Sequence, residues 1–90
     1  MTTRFSRHVD LRLTALEGEG VVLHLGSRRY FTVTETGLTI LEAMVQPQSF
    51  DQLVDAITDA YDVDRAKAVV SVRRFLDQCL ASALVLEEAT

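Results

Sequence analysis

The chain has 90 residues, 48% of them hydrophobic, with 24% charged residues and a net charge of −4. That is enough apolar material for one compact core over residues 1–90 and too little for two. The acidic balance argues against a surface that neutralises phosphates, and no apolar run approaches the roughly 18 residues of a membrane span, so neither a nucleic-acid nor a membrane partner is expected.

The opening segment, MTTRFSRHVD, has no apolar stretch of the secretory kind, and a cytoplasmic location is the expectation. Residues 1–7 and 87–90 read as loosely tethered ends. Val9, Leu11 and Leu13 alternate with Asp10, Arg12 and Thr14, the period of a strand with one buried face. Glu17-Gly18-Glu19-Gly20 turns the chain back, because glycine reaches positive φ without steric cost and the stretch has no apolar anchor. Val21 to Leu25 form a second strand. After Gly26-Ser27, the aromatic and β-branched stretch from Arg28 to Val33 forms a third.

The period then changes from two to that of a helix. Thr34 or Thr36 caps a first helix carrying Leu38, Ile40, Leu41, Ala43, Met44 and Val45, and Pro47 ends it. Ser49 with Gln52 three residues on has the pattern of a capping box, opening a second helix with Leu53, Val54, Ile57 and Tyr61. Asp62 or Asp64 caps a third, whose apolar stripe is Val69, Val72, Leu76, Leu80 and Ala83. The predicted fold is α+β and winged-helix-like. A three-stranded antiparallel sheet over about residues 9–33 is followed by a three-helix layer over about 35–86.

The third strand ends the meander and therefore lies at a sheet edge with unpaired N–H and C=O groups. It carries no proline or inward lysine that would block pairing. An open edge beside a helical layer can take an extended peptide, whose backbone bonds supply affinity while side-chain pockets supply choice. On the third helix Val70, Arg73 and Asp77 share a flank beside the core stripe, which suits a groove wall. Arg73 and Asp77 are also spaced for a surface ion pair.

Chemistry-bearing residues are sparse. Cys79 is the only cysteine and falls on the core stripe, and His8 and His24 are far from it in sequence. No catalytic residue, metal site or cofactor is expected from this set. Asp51, Asp55 and Asp59 recur every fourth residue, which reads as a solvated helix face. A winged-helix DNA-binding domain is the alternative reading, but Arg65, Lys67, Arg73 and Arg74 project at about 0°, 200°, 80° and 180° around the third helix and form no basic stripe. An edge-to-edge homodimer through the third strand would use the same backbone groups as a peptide.

The ordered set Val21-Val22-Leu23, Gly26-Ser27-Arg28-Arg29-Tyr30-Phe31, Glu35-Thr36-Gly37 with Ile40-Leu41, Phe50-Asp51-Gln52-Leu53-Val54, and Phe75-Leu76 with Ala83-Leu84-Val85 resembles the PqqD-like family of peptide chaperones, the RiPP recognition elements. Two departures stand out. The family commonly has Leu-Asn at Val33-Thr34 and glycine at Ala83. The resemblance implies a domain that binds the leader of a ribosomally made precursor peptide and presents it to modifying enzymes. Among free-standing examples in lasso-peptide pathways these enzymes are a leader peptidase and a cyclase. It further implies that the leader lies antiparallel along the third strand, in a cleft with the third helix. The candidate peptide-binding residues are then Arg28, Arg29, Tyr30, Phe31, Thr32 and Val33 on the strand. On the helix they are Val69, Val70, Arg73, Leu76 and Asp77.

Overall fold

The structure, a computed structural model, describes residues 3–89. In chain order the elements are β1 (Thr3–Arg7), β2 (Leu11–Leu16), β3 (Glu19–His24), β4 (Arg29–Thr34), α1 (Glu35–Ala43), β5 (Gln48–Ser49), α2 (Phe50–Ala60), α3 (Arg65–Ala81) and β6 (Val85–Ala89). The expected meander is present as a sheet of order β2-β3-β4, followed by the three expected helices.

A second sheet, of order β5-β1-β6, was not anticipated. Near the two chain ends, expected to be loosely tethered, Thr3–Arg7 and Val85–Ala89 pair antiparallel from Thr3↔Ala89 to Arg7↔Val85; residues 1, 2 and 90 lie outside the described residues. Their anchors are apolar. Phe5 and Val85 are buried in the same cluster as Val22 of β3 and Leu53, Val72 and Leu76 of the helices. One aromatic in an otherwise polar TRFSR segment is enough to dock the strand, because burying a side chain of that size contributes about 1.5 to 3 kcal/mol.

Val9, expected on the buried face of the first strand, is 84% exposed. The strand begins two residues later because Leu11 N–H donates to the His8 carbonyl and Asp10 N–H donates to His8 Nδ1. These bonds hold residues 8–10 as a turn.

The helix boundaries follow from their caps. Thr34 Oγ1 accepts the Gly37 N–H at 3.1 Å, satisfying one of the donors that the first turn leaves free. Ser49 and Gln52 form the reciprocal box at 3.1 and 2.9 Å. Asp64 caps α3 by position alone, with no side-chain bond. The start of α3 is tied to α2 by Arg65, which donates to Asp55 at 2.6 Å and lies 3.8 Å from Asp51. The bond to Asp55 raises the Arg65 pKa above its ordinary value, and two members of the aspartate stripe thus face a cation.

The end of α3 also bears on the site. Ala83 lies at φ 58°, in the left-handed region. Its N–H donates to the Leu80 carbonyl and that of Leu84 to the Cys79 carbonyl, the bond pattern of a Schellman cap. A glycine at this position would avoid the Cβ penalty that Ala83 carries.

Candidate functional site

Among the described residues, β4 pairs with β3 on one side only. The direction of its free backbone groups follows from a single bond at the far end of the meander. Leu25 N–H donates to the Asp10 carbonyl at 3.0 Å, so Leu11↔His24 is a pair without its own mutual hydrogen bonds. The peptide groups of His24 therefore face β4, and Arg29 opposite it answers them. Alternation along the strand then turns the N–H and C=O of Tyr30 and Thr32 outward, to the free edge. Their side chains are exposed on the outer sheet face, Tyr30 by 74%, whereas Phe31 and Val33 pack against the core.

The free edge borders a groove. A cleft of about 460 Å³ lies between β4, which contributes Thr32, Val33 and Thr34, and α3, which contributes Ser71, Arg74, Phe75 and Gln78. Gly37 and Ile40 of α1 lie along it. A second hollow of about 390 Å³ continues along the same two elements, with Arg29 and Phe31 facing Ala81, Ser82 and Ala83. The start of β4 thus lies beside the end of α3, and the two run in opposite directions along one groove. At the other end, Thr36 and Ser71 also border a smaller hollow of about 140 Å³ reaching Ile57 and Tyr61.

The candidate residues separate into distinct places. Arg29 to Val33 lie on β4, whereas Arg28 sits in the preceding turn at φ 60°. Leu76 is fully buried in the core and presents no surface to a groove. Val69, Val70, Arg73 and Asp77 border another hollow of about 510 Å³, together with Phe50 and Arg74. Of that hollow's residues, Arg74 also lines the cleft. Arg73 is not ion-paired to Asp77, since its guanidinium lies over the Phe50 ring, 4.4 Å from the centroid. The flank of α3 that faces β4 is therefore that of Ser71, Arg74, Phe75 and Gln78. Helical periodicity marks both flanks of the stripe equally, and only the docking of α3 against the sheet distinguishes them.

The four cations of α3 point to different surroundings, Arg65 to the aspartates of α2, Lys67 to the small hollow, Arg73 to Phe50 and Arg74 to the groove. They make no continuous surface for a phosphate backbone. Among the described residues no group of three or more His, Cys, Asp or Glu side chains is placed to hold a metal ion. The Cys79 thiol is buried, and desolvation pushes its pKa up to about 12, so it carries no thiolate at neutral pH. Among these residues, no helix is long and apolar enough to cross a membrane.

Two solved structures share the architecture. One, described as TbiB1 in complex with the TbiA(beta) leader peptide, is 27% identical, with a TM-score of 0.74 over 94% of this chain and 99% of that one. The other, described as lasso peptide synthetase B1 complexed with the leader peptide, is 17% identical, with a TM-score of 0.73 over 91% and 96% of the two chains. No curated protein matches the sequence. The family described as coenzyme PQQ synthesis protein D (PqqD) matches residues 19–85, a span that runs from the first residue of β3 to the first residue of β6 and includes both β4 and α3. The chain belongs to the PqqD family.

Proposed function

We propose that this protein binds the leader segment of a ribosomally synthesised precursor peptide as an added strand on β4 and presents it to modifying enzymes, a leader peptidase and a cyclase. The observation that carries the reading is the outward-facing backbone of Tyr30 and Thr32 at the mouth of a groove walled by α3. An extended segment laid there gains hydrogen bonds worth about 0.5 to 1.5 kcal/mol each in net terms, and apolar side chains placed against Phe75 and Val33 add to them. The similar TbiB1 structure, itself a complex with a leader peptide, supports the same occupant. The domain acts by binding and needs no chemical step of its own.

Two or three apolar anchors added to strand pairing, less the ordering cost of the peptide, correspond to a Kd around micromolar or below. The test is titration calorimetry with the separate leader and core halves of a candidate precursor peptide. Binding by the leader alone is expected. Equal binding of the two halves defeats the proposal.

A further inference from the structure

The Arg29 end of the groove differs in chemistry from the rest. Here His8 and His24 stack with ring centroids 4.5 Å apart and an interplanar angle of 44°. Each uses Nδ1 as an acceptor, His8 from the Asp10 N–H at 3.0 Å and His24 from the Ser27 N–H at 3.2 Å. A neutral imidazole that accepts at Nδ1 carries its proton on Nε2, so each ring is left with a donor. His24 is only 7% exposed, yet among the described residues its Nε2 has no hydrogen-bond partner and is not sealed from solvent. His24 lines a hollow together with His8, Ser27, Arg29 and Phe31.

The charge of that hollow is set by the same neighbours. The Arg29 guanidinium is held over the Phe31 ring, 5.8 Å from its centroid, on the groove side of β4. The end of α3 would ordinarily oppose an anion with its free carbonyls. Here the carbonyls of Gln78, Cys79 and Leu80 are already taken by the N–H groups of Ser82, Leu84 and Ala83. The Asp10 carboxylate does not line the hollow; it lies beside Gly26, where a Cβ would meet both Asp10 Oδ2 and His24 Cε1. None of the residues lining the hollow is acidic, and Arg29 brings a cation to it.

We propose that this end of the groove is an anion subsite, in which His24 Nε2–H and the Arg29 guanidinium hold the carboxylate of an aspartate or glutamate in the bound peptide. The inference rests on the leader-binding reading and adds a selectivity that strand pairing cannot supply, because backbone bonds are indifferent to sequence. Charge-assisted bonds to a carboxylate are about twice as strong as neutral ones, and a largely buried imidazole donor left unmatched penalises peptides with an apolar residue there. For a strand antiparallel to β4, the acidic residue falls at the C-terminal end of the paired segment, since that end lies beside Arg29.

The experiment selects a displayed library of random 20-residue peptides on the full chain and on its Arg29→Gln, His24→Phe and Thr32→Pro variants, each checked for folding by circular dichroism. Peptides lost on Thr32→Pro identify the strand-addition site. Among these, the wild-type protein is expected to enrich Asp or Glu at one fixed position. Replacing that residue by Asn or Gln should weaken binding about tenfold on the wild type and less than twofold on Arg29→Gln. Because Arg29 is exposed, its variant keeps the test decisive even if His24→Phe does not fold. Thr32-dependent peptides without an acidic position, or an acidic preference undiminished in Arg29→Gln, overturn the subsite alone. If no captured peptide depends on Thr32, strand addition itself fails and the subsite with it.

Discussion

Gly37 of α1 and Phe75 of α3 approach so closely that a Cβ on residue 37 would lie 2.7 Å from Cε1 of the ring. Both border the cleft beside β4, so the width of the groove depends on this contact. Alanine at 37 favours the helix by about 0.5 to 1 kcal/mol but forces the ring to move, and the open side is the groove. Gly37→Ala should therefore shift the thermal midpoint by no more than a few degrees while weakening leader affinity several-fold. Unchanged affinity in a folded variant removes Phe75 from the peptide-binding wall.

The free edge makes a second, sharper claim because it concerns backbone atoms. Tyr30 and Thr32 turn their N–H groups to the groove, and Phe31 turns its own to β3. Proline at 30 or 32 removes an outward donor without breaking a bond to β3, and should weaken leader binding more than alanine at the same site. Proline at 31 breaks the β3 ladder and should lower stability first. Calorimetry paired with circular dichroism separates the two effects, and folded Tyr30→Pro and Thr32→Pro variants with wild-type affinity would refute strand addition.

How far the sequence reveals this arrangement depends on whether the information is local. Thr34 and Ser49 mark helix starts through bonds spanning three residues, and the alternation of β2 to β4 is visible within each strand. The β1–β6 pairing joins residues 78 to 86 positions apart, anchored by Phe5 and Val85, and no periodicity in TRFSR or VLEEA announces it. The groove falls between these extremes. The identity of β4 as an edge follows from its place in the meander, whereas the choice between the Ser71–Phe75 flank and the Val70–Arg73 flank is made by packing between distant elements.

Ala83 at φ 58° offers a stability test independent of binding. Glycine there removes a left-handed penalty of roughly 1 to 2 kcal/mol, offset in part by the greater freedom of glycine in the unfolded chain. Ala83→Gly should stabilise by about 0.5 to 1 kcal/mol, which for a domain of this size raises the thermal midpoint by several degrees. A lower midpoint would show that the Schellman turn does not bear this strain.

Cys79 provides a pH signature. Its thiol has an ordinary pKa of 9.0, and burial pushes it up to about 12 in the folded protein. The folded state holds the proton more tightly, so this contribution to stability is fully present below about pH 9 and is lost as pH rises toward 12. Cys79→Ala should flatten that part of the stability profile. Iodoacetamide at pH 8 should label the native protein slowly and the denatured protein rapidly, and equal labelling rates would contradict the burial.

Burial and recognition are separable on α3 because they use different meridians of one helix. Leu76 is fully buried, so Leu76→Ala should cost about 2 to 5 kcal/mol and impair binding only through unfolding. Val70 is exposed and lies on the hollow shared with Phe50, so Val70→Asp should change stability by no more than about 0.5 kcal/mol. Arg73→Glu loses the stacking on Phe50, a further cost of about 0.5 to 1 kcal/mol. Neither should alter leader affinity, since neither residue lines the cleft beside β4. Ser71 and Gln78 do line it, and Ser71→Trp or Gln78→Trp should obstruct the peptide while the core stripe stays intact. Thermal midpoints and leader affinities measured across all five variants decide the matter: if folded Val70→Asp and Arg73→Glu bind poorly while the tryptophan variants bind normally, the peptide lies on the Phe50 side of α3 and the β4 groove is not its site.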